Sequence, residues 1–227
     1  IPVLYGIDAI HGANYTKDAT LFPQQIAQAA TFNENIAYKI GEITAYETRA
    51  SGISWNFSPV LGLGRHAAWP RFWETFGEDV YLTSVMGEAL TKGYQGESHT
   101  DDSTKITACM KHYLGYSAPN TGKDRTPASI PEREIRQYFL PPFAESVNAG
   151  VKTVMVNSGE VNGVPLHTCK FYLTDVLKGE LNFDGFVVSD WMDIQYLHDR
   201  HKVAATQKEA VALAVNAGVD MSMVPQD

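Results

Sequence analysis

Three segments place ionisable side chains directly behind short apolar runs. In Gly185-Phe186-Val187-Val188-Ser189-Asp190-Trp191, a mostly apolar run reads as a buried parallel strand, and a carboxylate stands at its end beside a tryptophan. Two readings compete for Asp190: a strand-end Asp that caps the next helix, and a nucleophile with an aromatic wall for a sugar ring. In Cys109-Met110-Lys111-His112-Tyr113, Lys and His follow an apolar run and precede a Gly-containing loop. Lys111 suits a Schiff-base nucleophile, or it pairs with His112 in donating hydrogen bonds to ligand hydroxyls, or both are surface polar residues; spacing does not separate these. Asp8, in Gly6-Ile7-Asp8-Ala9-Ile10-His11-Gly12, is by itself more often a turn or cap residue. The stretch from Arg65 to Asp79 is dense in aromatic and guanidinium groups, which fits either a site or a loop packed by its own side chains.

The elements that must carry these residues alternate. Strand-like runs cover 2–7, 53–58, 105–110, 151–157, 185–189 and 219–224. Helical patterns lie between them at 23–50, 80–94, 131–149, 171–181 and 207–217. In the first, Ile26, Ala29, Ala30, Ala37, Ile40 and Ile43 form one apolar stripe. Pro131-Glu132 opens the third, and Asn216-Ala217-Gly218 closes the last. Six βα-type units imply a parallel sheet covered by helices, either doubly wound or a (β/α)8 TIM-type barrel. The chain lacks a dinucleotide fingerprint, and Asp8, Lys111-His112, Asn157, Glu160 and Asp190 all follow strands. A barrel gathers such residues into one ring at its top face, so an incomplete barrel of about six units is expected.

Composition narrows the function classes. The 227 residues are 44% hydrophobic and 19% charged, which excludes a disordered chain. The net charge of -8 argues against nucleic acid or an anionic membrane surface as partner and suits a neutral or cationic ligand. Cys109 and Cys169 lack metal-ligand spacing and read as buried, inert thiols. His198 and His201 read as solvated. No apolar run reaches the ~20 residues of a membrane span. The chain begins and stops on strand-like runs without a leader, which reads as a piece of a longer polypeptide.

Taken in order, these segments resemble glycoside hydrolase family 3, the β-glucosidase and β-xylosidase family, over nearly the whole chain. The matching segments are Gly6-Ile7-Asp8 with His11-Gly12, Trp69-Pro70-Arg71 with Phe76-Gly77-Glu78-Asp79, and Lys111-His112. Gly122-Lys123-Asp124-Arg125, Asn162-Gly163-Val164-Pro165, Leu173-Thr174-Asp175 and Phe186 to Trp191 follow. The Gly115-Tyr116-Ser117 and Lys123 to Pro127 details look most like bacterial β-glucosidases acting on plant glucan oligosaccharides.

The resemblance implies that residues 1–227 are part of the family's N-terminal catalytic barrel domain, with Asp190 as nucleophile and no metal or cofactor. Asp8, Arg71, Lys111 and His112 would hold the sugar hydroxyls, Arg125 would contribute, and Trp191 would border the ring. Lys111 and Arg71 would keep Asp190 ionised. Where many members carry an aromatic residue, this chain has Asn157-Ser158-Gly159-Glu160, so a tyrosine contact is not expected there. The implied activity is a retaining exo-acting β-glucosidase on β-linked gluco-oligosaccharides, periplasmic or secreted. Its rivals are a β-xylosidase, a β-N-acetylhexosaminidase, an aldolase-like barrel using Lys111 and an inactive sugar-binding module. The hexosaminidase branch carries its acid/base His after the Lys-His pair, and Tyr113 to Arg125 holds none. In most relatives the acid/base Glu comes from a following α/β domain. Asp124 sits between two cations, and Glu160, near the Asn162-Gly163 turn, reads as solvent-facing. Residues 1–227 alone are therefore expected to lose the ~10²–10⁴-fold that general acid catalysis supplies on unactivated glucosides.

Overall fold

The computed structural model describes residues 4–96 and 102–224, so the first residues of the expected 2–7 strand lie outside it. Five parallel strands form one sheet: β1 (Gly6–Ile7), β2 (Trp55–Asn56), β3 (Thr107–Tyr113), β4 (Thr153–Val156) and β7 (Phe186–Val188). Each pairs with the next in chain order. The run at 219–224 contributes a single parallel bridge, Val188 to Met221. A doubly wound sheet reverses its strand order at a switch point. This order never reverses, which decides for an arc of a TIM-type barrel. Between β4 and β7, β5 (Glu160–Val161) and β6 (Val164–Pro165) form a small antiparallel hairpin. It turns on Asn162 and Gly163, both at positive φ, as a two-residue hairpin loop requires.

Period-two alternation sorts the strand side chains into two layers. Trp55, Cys109, Met155 and Val188 pack with Phe57 on the inner face of the arc. Their neighbours Ala108, Met110, Val154, Val156 and Val187 join the larger core between sheet and helices. The inner layer is tied by Trp55 Nε1, which donates to Thr153 Oγ1 at 2.8 Å.

Three helical expectations change at the helix ends. The 23–50 stretch is two helices, α1 (Gln25–Ala29) and α2 (Glu34–Ala50). Phe32 lies at φ +49°, and the Asn33 side chain caps α2 by accepting from Asn35 N. The buried face of α2 is Ala37, Ile40, Gly41, Thr44, Ala45 and Thr48, while Ile43 and Ala30 are exposed. The 131–149 stretch cannot run straight through Pro141-Pro142, because proline has no N–H to donate. A short helix α4 (Glu132–Glu134) widens into a π-helical turn over Ile135–Phe139, closed by Leu140 N on Ile135 O, before α5 (Pro141–Asn148). Residues Phe171–Glu180 keep the wider π spacing. Helix α3 (Val80–Gln95) starts on its Asp79 cap, and α6 (Asp193–Asp199) precedes α7 (Gln207–Ala217), which stops at Gly218 in the left-handed region as expected.

α2 crosses α3 through glycines at touching distance. A Cβ on Gly93 would stand 2.4 Å from Tyr38 O and 3.0 Å from the Gly41 Cα. Alanine is a better helix former by about 1 kcal/mol, but overpacking against unyielding backbone costs about 1–3 kcal/mol. The clash wins at 2.4 Å from a helical carbonyl. Gly93→Ala is therefore expected to lower the urea unfolding midpoint, and an unchanged or raised midpoint would show that the helices have room to part.

Candidate active site

A cleft of about 310 Å³ opens at the C-terminal ends of the strands. All seven residues singled out in the sequence line it: Asp8, Arg71, Lys111, His112, Arg125, Asp190 and Trp191. Ile10, Tyr15, Glu74, Met155 and Met223 complete the wall.

Each arrives by a different route. Asp8 follows β1 and is set by a latch behind it, where Asn56 accepts from Ala9 N at 2.8 Å and donates to Ala9 O at 3.0 Å. Lys111 and His112 are adjacent in β3, and regular alternation would send them to opposite faces. The β3–β4 register slips between Met110 and Tyr113, and the Lys111–His112 peptide is cis. Both side chains line the cleft. Lys111, almost fully buried, donates to Asp8 Oδ1. The imidazole of His112 packs on the Tyr116 ring with centroids 4.5 Å apart. Arg71 precedes a single 3₁₀ turn over Phe72–Glu74, which returns Glu74 to it in a two-pronged pair at 2.8 and 2.7 Å. Arg125 comes from the loop after β3, and Asp190 and Trp191 from the end of β7.

Asp190 does not cap α6. The residue before that helix is Met192, which makes no side-chain cap bond, and Asp190 instead turns its carboxylate into a ring of donors. Oδ1 accepts from Trp191 N at 2.5 Å and lies 3.3 Å from Arg125 Nη2. Oδ2 accepts from Ser158 Oγ at 2.9 Å and lies 3.6 Å from His112 Nε2. Burial pushes the Asp190 carboxyl up, but Arg125, the Trp191 N–H, Ser158 and Lys111 together outweigh it and hold it below the usual carboxylate range. Among the charges acting on Asp190, Arg125 leads, while Arg71, expected to contribute, is paired with Glu74. His112 is held neutral by burial and then by the cations Arg71, Lys111 and Arg125. The exposed Trp191 ring borders the cleft.

Behind this wall lies a layer that sequence reasoning missed. Asp193 is 2% exposed and accepts from Arg125 Nη1 at 2.8 Å. Burial, and next the charge of Asp190, push it up to about 7. His167, buried beside it, is lowered to about 3 chiefly by burial. Ser158 had a visible signal, the departure from an aromatic residue at that segment; Asp193 had only its place three residues beyond Asp190. Asn157 is structural, donating to Leu114 O and accepting from Gly159 N. Glu160 does not simply face solvent, since it pairs with a buried His201 at 2.6 Å. His201 is accordingly not solvated, and Cys169 is only half-buried, whereas Cys109 is fully buried. Asp124 accepts from Trp69 Nε1 at 3.1 Å. Among the described residues, no three His, Cys, Asp or Glu side chains gather as metal ligands.

The sequence of residues 1–227 matches the glycosyl hydrolase family 3 N-terminal domain along its whole length. The chain belongs to glycosyl hydrolase family 3. It is 52% identical over its full length to a lysosomal β-glucosidase of Dictyostelium discoideum, of which it covers 28%. It is 38% identical to a β-xylosidase of Formosa agariphila over 99% of its length and 32% of the relative's. A periplasmic β-glucosidase of Salmonella typhimurium is 35% identical over the full chain and 29% of that protein. The fold superposes with a TM-score of 0.97 on a β-glucosidase involved in saponin metabolism from intestinal bacteria, at 36% identity, covering 99% of this chain and 30% of that one. This family 3 chain thus spans less than a third of the length of these relatives. Among the described residues, no helix is long and apolar enough to cross a membrane.

The electrostatics make His112 and His167 neutral across the working range. In a histidine NMR titration, two of the seven imidazoles should keep neutral chemical shifts from about pH 8 to about pH 5 while an isolated imidazole titrates near ~6.5. Assigning a normal titration to either of these two residues would contradict the burial and cation pattern described here.

Proposed function

We propose that the enzyme containing this barrel domain removes terminal, non-reducing β-D-glucosyl residues from oligosaccharides with net retention. A carboxylate oxygen of Asp190 forms the bond to the anomeric carbon as the bond to the leaving oxygen breaks. A general acid protonates that oxygen, and water then hydrolyses the glycosyl ester. The observation that carries the reading is a buried carboxylate kept ionised at the floor of a cleft lined with fixed donors and acceptors. A nucleophile must be charged, and hydroxyl recognition needs such fixed partners. Asp8, Arg71, Lys111, His112 and Arg125 are read as the hydroxyl-binding set, and Trp191 as the ring's neighbour.

The general acid is read as coming from outside residues 1–227, in a following α/β domain. Asp8 is committed to Lys111 and Glu74 to Arg71, so neither carboxyl is free to meet a leaving oxygen. Asp193 has a suitably raised pKa but stands behind Asp190 rather than in the cleft wall. Retaining enzymes place the two carboxyls on either side of the scissile bond, about 5–5.5 Å apart. Similarity to a protein named β-xylosidase keeps xylosides as the second substrate class. Secretion or transfer to the periplasm is an extension of the similarity to a periplasmic β-glucosidase.

Reaction with a 2-deoxy-2-fluoro β-glucoside followed by peptide mapping should place the label on Asp190. A label elsewhere sinks the nucleophile assignment, and no label together with sugar binding but no turnover points to an inactive binding module. A panel of aryl β-glycosides should rank glucoside above xyloside. Ser158→Ala removes a hydrogen bond to the charged form of Asp190, so the acid limb of kcat/KM should move to higher pH. The rate at neutral pH should fall by roughly 10-fold or more, as for a hydrogen bond to a charged group. An unmoved limb would show that Ser158 contributes nothing to the ionisation.

A further inference from the structure

We propose that Asp193 is a positioning residue for the nucleophile, holding the Arg125 guanidinium in place against Asp190. This rests on the glycosidase reading of Asp190. Arg125 is a bridge: Nη1 donates to Asp193 Oδ1 at 2.8 Å and to Trp191 O at 3.2 Å, which leaves Nη2 3.3 Å from Asp190 Oδ1. One rigid planar fork therefore spans both carboxyls, a geometry that a lysine could not reproduce. The backbone of Arg125 lies at φ +54°, a left-handed conformation that non-glycine residues keep only when their surroundings hold them. Arg200 Nη2 supplies one such hold, donating to the Arg125 carbonyl at 2.6 Å.

The other side of Asp193 faces a neutral group. Its Oδ2 is buried and, among the described residues, has no hydrogen-bond partner, and the same holds for His167 Nε2 3.8 Å away. At that separation the two are neighbours, not a hydrogen bond. Oδ1 is thus committed to Arg125, while a neutral imidazole stands beside Oδ2.

The consequence is electrostatic. Lys111 and Arg71 are engaged with Asp8 and Glu74, so Arg125 is the leading attractive partner of Asp190. The groups facing the two carboxyls are Lys111 and His112 from β3, Arg125 from its loop, Ser158 after β4, His167, and Arg200 after α6. Released from Asp193, the Arg125 side chain gains rotamers that carry its charge away from the nucleophile. Asp190 then becomes less acidic and less fixed.

The test is the pH dependence of kcat and kcat/KM for Asp193→Ala and Asp193→Asn in the intact enzyme, on cellobiose and on an activated aryl glucoside. Asp193→Ala should raise the acid limb by about one pH unit and lower kcat by about 10²-fold, the scale of a misplaced reacting group, on both substrates. Asp193→Asn keeps an Oδ1 acceptor for Arg125 and should hold the limb and most of the rate. If Asp193→Ala fails to fold, Asp193→Ser, too short to reach the guanidinium, carries the same expectation. A folded Ala or Ser variant with an unmoved limb overturns the inference, as does an Asn variant that shifts as far as Ala. A loss confined to cellobiose also overturns it, because that pattern belongs to a general acid. Fluoroglucoside labelling of the wild-type enzyme separates the two levels: no label on Asp190 removes the underlying reading, whereas labelled wild type with an unmoved limb removes only the role of Asp193.

Discussion

A carboxylate buried at the end of a strand keeps its charge only if the fold delivers donors to it, and Asp190 is in that position. Its desolvation works against ionisation, and the compensation comes from segments far apart in the chain. Lys111 is supplied by β3, Arg125 by the following loop, Ser158 by the segment after β4, and the Trp191 N–H by the turn after Asp190 itself. Removing the order of the strands would scatter these groups. The sheet matters here because it is a parallel arc whose strand ends converge on one cleft.

The same constraint explains the local irregularities. A regular β3 would point Lys111 and His112 to opposite faces, so the register slip against β4 is the price of placing both beside Asp190. The turn from β7 into α6 passes through Met192 in the left-handed region, bringing Asp193 back under Asp190. The long loop after β2 is not free: Leu61 N bonds Lys111 O, and its 3₁₀ turn fixes Arg71 through Glu74.

What could be read from the residues follows the range over which each signal acts. Apolar runs and strand-end polar residues are local, and five of the six expected strands, the arc and all seven cleft residues were legible from them and from the ordered motifs, whereas the 219–224 run supplies only a bridge. Helix ends were less so. Thr31-Phe32-Asn33 resets the helix through a left-handed residue and a cap, and Pro141-Pro142 forces a wide turn, where periodicity alone ran straight on. Pairings across the fold were the least legible. Nothing local to Arg125 names Asp193 as its partner, and nothing local to Glu160 names His201. Asp193 and His167 were missed for the same reason, since their meaning lies in contacts with each other and with Arg125.

These pairings also let an acidic chain present a cleft wall without net charge. The cleft is lined by three cations and three carboxylates, and each cation faces one of them: Lys111 with Asp8, Arg71 with Glu74, and Arg125 with Asp190. With His112 neutral, the charges of that wall cancel, although the chain as a whole carries -8. A site of this kind gives no long-range pull on an ion. It offers instead a dense array of strong donors and acceptors whose own charges are already compensated, which is what a polyhydroxylated, uncharged ring can use. The balance also ties catalysis to recognition. On the proposed mechanism, Asp190 would give up its charge in forming a glycosyl ester, and Arg125 would keep Asp193 as its remaining carboxyl neighbour.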